Sequence, residues 1–222
     1  MCKLPDSIYK EAARLLKADP ADHTLYEELA KQYVLLQSVA EPKSTYKLVL
    51  VKQTDEGVLL DDFEIKSNDL KKLFANSKSA FLLAVTLGAQ TDALLRRKSA
   101  ENMAQATLLD ACASAEVERL CDVLEQSLAA KIEPGKYFTQ RFAPGYGDVR
   151  LKYMSKLVNV LNTQKVIGLS VSMSDMLVPT KSVVALLGIS NIKEKRGTRC
   201  ETCAANADCY WKKRGELCGV QL

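Results

Sequence analysis

Histidine is nearly missing from this chain: His23 is the single one among 222 residues. No site that needs several imidazole ligands can be built. Ser-His-Asp or Cys-His catalysis would have to rest on that one position, which stands just before a helix start. Long apolar runs are absent too. The longest is "AFLLAVTLGA" (80–89), half of the roughly 20 residues a membrane helix needs, so no membrane partner is expected. The first residues, "MCKLPDSIYKEAARLL", carry charge throughout and lack an apolar segment, so they do not read as a signal peptide and a cytoplasmic location is expected. Neither GxxxxGK[ST] nor GxGxxG occurs, which removes the common phosphate-cradling motifs. No fixed-period repeat and no low-complexity linker interrupts the chain.

What is present is ordinary in bulk: 47% hydrophobic and 26% charged residues, enough apolar material for a sizeable core. The length suits one large domain or two small ones. Helical spacing covers 5–18 and 24–38, the second with a Thr24-x-x-Glu27 capping box. "TYKLVLVKQ" (45–53) alternates and is rich in branched residues, so it predicts a strand, with a second short strand after "DEG". Residues 67–77 read as a helix capped by Ser67 or Asn68, and 79–88 as a strand buried on both faces. A helix starts directly after Gly88. The longest helical stretch is 101–131, where Met103, Leu108, Leu109, Cys112, Val117, Leu120, Cys121, Leu124 and Leu128 recur mostly at three- and four-residue steps. Residues 148–163 predict a helix capped by Asp148, and 165–174 and 181–190 predict two strands. The sum is an α+β fold: a small mixed or antiparallel sheet, a long central helix and several shorter helices.

One stretch is crowded with special residues: "RFAPGYGD", 141–148. Pro144 fixes its own φ and pushes Ala143 towards extended backbone. Gly145 and Gly147 admit conformations closed to other residues and let a ligand approach the chain. Tyr146 offers a flat face and a hydroxyl. Arg141 offers a planar fork of N–H donors that matches a carboxylate or phosphate. This set suits a polar small molecule that carries a carboxylate and a flat ring. A tight structural turn with an incidental Arg is the other reading of the same residues.

With the flanking stretches, the segment resembles the activation (reactivation) domain of cobalamin-dependent methionine synthase, whose S-adenosylmethionine-binding motif has the core Arg-x-x-x-Gly-Tyr. Those positions are Arg141, Gly145 and Tyr146 here. "FLLAVTLGAQTDALLRR" precedes the long helix, "LLDACASAEVERLCD" lies within it, and "VIGLSVSMSDMLVPTKSVVALLGIS" follows, all in the order expected of short stand-alone homologues. The resemblance spans roughly residues 45–190. It implies a domain over 1–192, helical over about 1–40, with 193–222 as an appended tail. It also implies that Arg141 grips the methionine carboxylate, that the backbone of Ala143, Pro144 and Gly145 with Tyr146 cradles the adenosyl portion, and that Glu118 lies near the ligand or the corrin. The implied function is to support reductive methylation of inactive Co(II) cobalamin, a cofactor that carries the hard chemistry itself. The cobalamin would be carried by a separate partner, a methionine synthase lacking its own activation domain or another corrinoid methyltransferase, and the electron would come from a donor such as flavodoxin.

The tail holds a second candidate site. Four of the seven cysteines, Cys200, Cys203, Cys209 and Cys218, fall within 19 residues. The first two have the spacing that lets paired thiolates grip one metal, and the other two could complete a tetrahedral set for zinc or an iron–sulfur cluster. A set of reduced thiols fits the same spacing. Seven Lys/Arg stand against three Asp/Glu between Lys193 and Arg214, and this charge would favour thiolates. Only Tyr210 and Trp211 accompany it, so a nucleic-acid partner is not expected. The alternative function is therefore a metal-binding interaction or redox module on the same scaffold.

Overall fold

The computed structural model describes residues 4–193. Within them the chain forms two compact units. The first takes residues 4–41 and Leu87–Asp122 and is helical. Helix α1 (Asp6–Leu15) starts at Pro5 and buries Ile8, Tyr9, Ala12 and Ala13, the i, i+4 stripe of an amphipathic helix. Glu11, on its buried side, is held by the Arg14 fork at 2.9 and 2.6 Å. Helix α2 (His23–Val39) corrects the expected Thr24 cap. Asp22 caps it, accepting from the N–H groups of Thr24 at 2.9 Å and Leu25 at 3.2 Å. A carboxylate satisfies the same orphan donors as a hydroxyl and adds attraction to the positive helix end. The α1 and α2 rings of Tyr9 and Tyr26 meet edge to face, 5.0 Å between centroids.

Helix α4 (Ala89–Glu101) begins at Gly88, as expected, and helix α5 (Met103–Ala129) is the long helix. Asn102 separates them: its backbone is extended, and its side chain accepts from Gln105 N–H at 3.1 Å to start α5. The last seven residues of α5, Val123–Ala129, belong to the second unit.

That second unit takes Pro42–Thr86 and 123–193 and carries the sheet. Its strands are β1 (Lys43–Gln53), β2 (Gly57–Leu60), β3 (Phe63–Lys66), β4 (Ser77–Thr86), β5 (Tyr137–Phe138) and β8 (Ser182–Ser190). Their order is β3-β2-β1-β4-β8-β5, antiparallel at every pairing. The α+β reading with an antiparallel sheet and a long helix therefore holds. Strand β4 is buried from Ala80 to Thr86, as its apolar run demands.

Register divides the sheet into two faces. Val49 and Val51 on β1, Ala80, Leu82 and Ala84 on β4, and Leu186 on β8 face one core. That core also receives Leu70 from helix α3 (Asn68–Leu73), and Met154, Leu157 and Leu161 from helix α6 (Met154–Leu161). The opposite face carries Phe81, Leu83, Ala185 and Leu187, all buried.

Two expectations in this unit are corrected. The predicted helix over 148–163 starts later, with a short 3-10 turn at Leu151–Tyr153 and then α6, which stops where Asn162 takes φ +52. The predicted strand over 165–174 begins as helix α7 (Thr163–Ile167), ended by Gly168 at φ +71. Only Ser170–Val171 (β6) extends, pairing with Leu177–Val178 (β7). Branched residues in 165–171 matched a strand in composition, but Ile167 and Leu169 complete the core under α6, and packing overrode propensity. Strands β3 and β5 lay outside the predicted set; at four and two residues they offer too short an alternation to read.

Candidate functional site

The segment before the loop runs along the free edge of β8. Phe138 pairs with Ile189 and Phe142 with Leu186. Three residues separate the first pair members and two separate the second, so one extra residue sits on the 138–142 side. This is a bulge, and it reverses which face the following side chains take. Thr139 marks it: its N–H donates to Gly188 O at 2.9 Å, and its hydroxyl accepts from Gly188 N–H at 2.9 Å. Phe138 consequently meets Phe81 on one face of the sheet, 6.1 Å between centroids, while Phe142 joins the α6 core on the other. Arg141, next to Phe142, reaches the end of α5. Its Nη1 lies 3.3 Å from Glu125 Oε2, with side chains only 11% and 6% exposed.

Glu125, the buried ion-pair partner of Arg141, was missed by the sequence reading, although a signal existed. Cys121, Leu124 and Leu128 form a buried stripe on α5, and Glu125 occupies the i+4 place after Cys121 within it. A carboxylate in an apolar stripe is costly to bury without a cation, so its position alone asks for a partner.

Beyond Arg141 the chain makes two linked turns. Tyr146 N–H donates to Ala143 O at 3.3 Å, with Pro144 and Gly145 at the central positions and Gly145 at φ +95. This is the arrangement of a type II turn, which favours Pro then Gly. Val149 N–H donates to Tyr146 O at 3.1 Å across Gly147, at φ +53, and Gly145 N–H closes back on Val149 O at 2.8 Å. Both glycines thus adopt the conformations expected of them. A Cβ at Gly147 would also run into Asp69 Oδ2 and sit 3.3 Å from the Phe142 ring, so the Asp69 carboxylate would have to shift from its bond with Asp148 N–H. The amides of Gly145, Tyr146 and Val149 are spent inside the loop. What the loop presents outward is the Tyr146 side chain, 69% exposed.

Asp148 anchors the loop, but not as the cap of the helix that follows it. Its carboxylate instead sits at the start of α3, accepting from Ser67 Oγ, from Asn68 N–H at 2.7 Å and from Asp69 N–H at 3.4 Å. Ser67 Oγ in turn accepts from Leu70 N–H at 2.9 Å, the ordinary N-cap bond. Asp69 reciprocates, its carboxylate accepting from Asp148 N–H at 3.2 Å. The Ser67 hydroxyl, helped by the Asn68 and Asp69 amides, holds the Asp148 carboxyl below its ordinary range. Two orphan N–H groups at a helix end and the Ser67 hydroxyl hold this side chain, while the loop's own helix, α6, starts only at Met154.

The remaining predicted residues fall as follows. Ala143 is half-buried, Pro144 buried and Gly145 exposed. Glu118 is half-buried on the part of α5 within the first unit. Cys200, Cys203, Cys209 and Cys218 lie outside the described residues. Among the described residues, no group of three or more His, Cys, Asp or Glu could hold a metal. Cys112 is buried, and burial pushes its thiol up to about 12, so it is no thiolate nucleophile. No described helix is long and apolar enough to cross a membrane. The "MLVPTKSV" segment forms β7, a cis Val178–Pro179 bond and the start of β8, where Ser182 Oγ donates to Pro179 O at 2.8 Å and lies 2.7 Å from Thr86 Oγ1.

No family model matches the chain, and no curated protein matches it in sequence. Among solved structures it is similar to one described as "Crystal Structure of the MetH Reactivation Domain bound to AdoHcy". The likeness covers 92% of this chain and 77% of that one, at a TM-score of 0.56 and 14% identity. The class this defines is one of fold: an antiparallel sheet with a long helix, arranged as in that reactivation domain.

Proposed function

We propose that this chain is an S-adenosylmethionine-binding reactivation protein that acts in trans on a corrinoid methyltransferase or a methionine synthase lacking its own activation domain. The observation that carries the reading is the Arg141-x-x-x-Gly145-Tyr146 turn, with Gly145 at φ +95 and Tyr146 exposed, on a fold shared with a reactivation domain bound to AdoHcy. In this reading Arg141 takes the amino-acid carboxylate through its fork. Tyr146 offers its ring to the adenosyl portion, and the side-chain-free Gly145 lets the ligand approach the backbone. Glu118 lies near the ligand or the corrin. Residues 1–192 act as one activation-like domain.

The cobalamin stays on the partner, where it would accept the sulfonium methyl once an electron arrives from a donor such as flavodoxin. This chain's own work is to bind, orient and present the methyl donor. The thiols of Cys200, Cys203, Cys209 and Cys218 are candidates to hold zinc or an iron–sulfur cluster, or to stay reduced, and metal analysis of the full chain with its optical spectrum would decide among these.

Calorimetric titration of the full chain with S-adenosylmethionine tests the site. Binding that is lost in Arg141→Ala and weakened in Arg141→Lys, which keeps the charge beside Glu125 but not the fork, is the expected result. No binding, or equal binding by all three proteins, would remove the proposed pocket.

A further inference from the structure

We propose that this chain associates with a second copy of itself through an open edge of its sheet, strand β1 adding to strand β1 antiparallel about a two-fold axis at Tyr46. The inference goes beyond the ligand reading above and does not rest on it.

Strand β1 runs from Lys43 to Gln53, but its neighbour β2 pairs only with Val51, Lys52 and Gln53. At Asp61, φ +48, the chain turns away into β3. Both backbone groups of Leu50 are taken by Asp61: its carboxylate accepts from Leu50 N–H at 2.8 Å, and its N–H donates to Leu50 O at 3.0 Å. The Leu50 groups therefore point to the β2 side. In an antiparallel ladder this direction repeats at every second residue, and the β1–β4 register runs unbroken from Lys43 to Leu50. So the N–H and C=O of Ser44, Tyr46 and Leu48 also point away from β4. Among the described residues no hydrogen bond reaches them. All three residues are exposed. An open row of backbone donors and acceptors is a template for a further strand.

Side chains at the same positions make this edge adhesive. Tyr46, Leu48 and Leu50 are 40%, 53% and 60% exposed along one face of β1, beside the buried Phe81 and Leu83 of β4. Lysine commonly guards such an edge, but the one inside this stretch, Lys47, has its ammonium 3.4 Å from the Asp61 carboxylate. The stretch also matches itself. With Tyr46 opposite Tyr46 of the second copy, Ser44 falls opposite Leu48, and the three N–H and three C=O groups of each copy all find partners. Lys43, the first residue of the strand, falls opposite Val49, so pairing stops short of Leu50, which Asp61 already holds. A two-fold register shifted either way sets Pro42, which has no N–H, opposite Leu48, or Ser44 opposite the occupied Leu50. The matching register also lays the Lys43 end of each strand beside the Asp61–Asp62 turn of the other, cation towards anions.

A contact of this size belongs with the weak interfaces, those under ~1,200 Å², so the dimer should dissociate on dilution. The test is sedimentation velocity of the full chain, with reductant present, over a rising series of concentrations. The parent should pass reversibly from monomer to dimer. Tyr46→Pro removes the central N–H of the edge without touching the β1–β4 ladder, and should weaken the dimer by roughly tenfold or more. Leu48→Lys, at an exposed position that the monomer's fold does not need, should weaken it similarly and serves alone if the proline variant unfolds. A parent that stays monomeric up to about 1 mM leaves the edge to an extended segment of another protein and overturns the proposal. So does a dimer that Leu48→Lys leaves unchanged. Register is checked by mild oxidation and peptide mapping. Tyr46→Cys should give a disulfide joining the substituted position to itself, whereas two copies of Ser44→Cys lie too far apart for one. Linkage of both variants alike would overturn the two-fold axis at Tyr46.

Discussion

The two halves of the candidate site are built differently. Arg141 and Glu125 form a charged pair with side chains 11% and 6% exposed, brought together by a bulge on a sheet edge and the last turns of a long helix. The turn over 143–149 is mostly exposed and is shaped by its own residues, Pro144, Gly145 and Gly147, then clasped to α3 through Asp148. Breaking the first half removes one member of a buried ion pair. Breaking the second loosens a surface loop. The contrast teaches that the charged half of the candidate site is anchored by the sheet edge and the long helix, while the exposed half is shaped by local geometry and held by one clasp to α3.

Breaking the buried half should cost most. Glu125→Ala or Arg141→Ala removes one member of a buried ion pair and should lower stability by about 3–5 kcal/mol, measured by denaturant unfolding. Replacing both with apolar residues of similar volume should cost clearly less than either single change. If the double change is as costly as the sum of the singles, the two side chains do not act as a pair.

Gly147→Ala attacks the exposed half at its tightest point. A side chain at φ +53 is strained, and its Cβ would meet Asp69, so a loss of roughly 2 kcal/mol is expected in the same unfolding assay. Gly135→Ala is the comparison: its φ is +82 but its Cβ would meet nothing within 4 Å, so it should cost less. Equal losses would mean that strain alone, not the Asp69 contact, fixes the loop.

Ser67→Ala removes the N-cap of α3 together with the hydroxyl that Asp148 accepts from, and should cost about 1 kcal/mol. The pH profile sharpens this clasp. Since the Asp148 carboxyl is held below its ordinary range, its contribution is complete above the ordinary value of about 3.9 and fades as pH falls through the lower folded value. Stability followed by thermal unfolding should therefore decline below about pH 4, and less steeply in Asp148→Asn. The reverse trend, stability rising as the acid side is approached, would contradict the assigned sign.

Tyr146→Ala should change stability least, within about 0.5 kcal/mol, because the side chain is 69% exposed. Its expected loss is in ligand affinity.

This contrast also explains how far the sequence could be read. The turn was legible because Pro and Gly act through local φ preferences, and both glycines took positive φ. Strand β4 was legible from its unbroken apolar run, and α5 from its periodicity. Asp148 was read as an anchor but assigned to the wrong helix, since its partners at Ser67, Asn68 and Asp69 lie about 80 residues away in sequence. The need for a partner at Glu125 was legible from its place in an apolar stripe, but the choice of Arg141 was not, because it depends on a bulge whose register is set by β8. Segment 165–171 misled because its branched residues serve a helix and a core rather than a strand.

The central claim, that the 141–147 segment receives an adenosylated amino acid, is tested most directly by a titration of ¹⁵N-labelled full-length chain with S-adenosylhomocysteine, followed by amide and Arg Nε–H resonances. The account predicts saturable shifts centred on Arg141, Gly145, Tyr146 and Gly147. Shifts that leave these four untouched, or none at all, would contradict it.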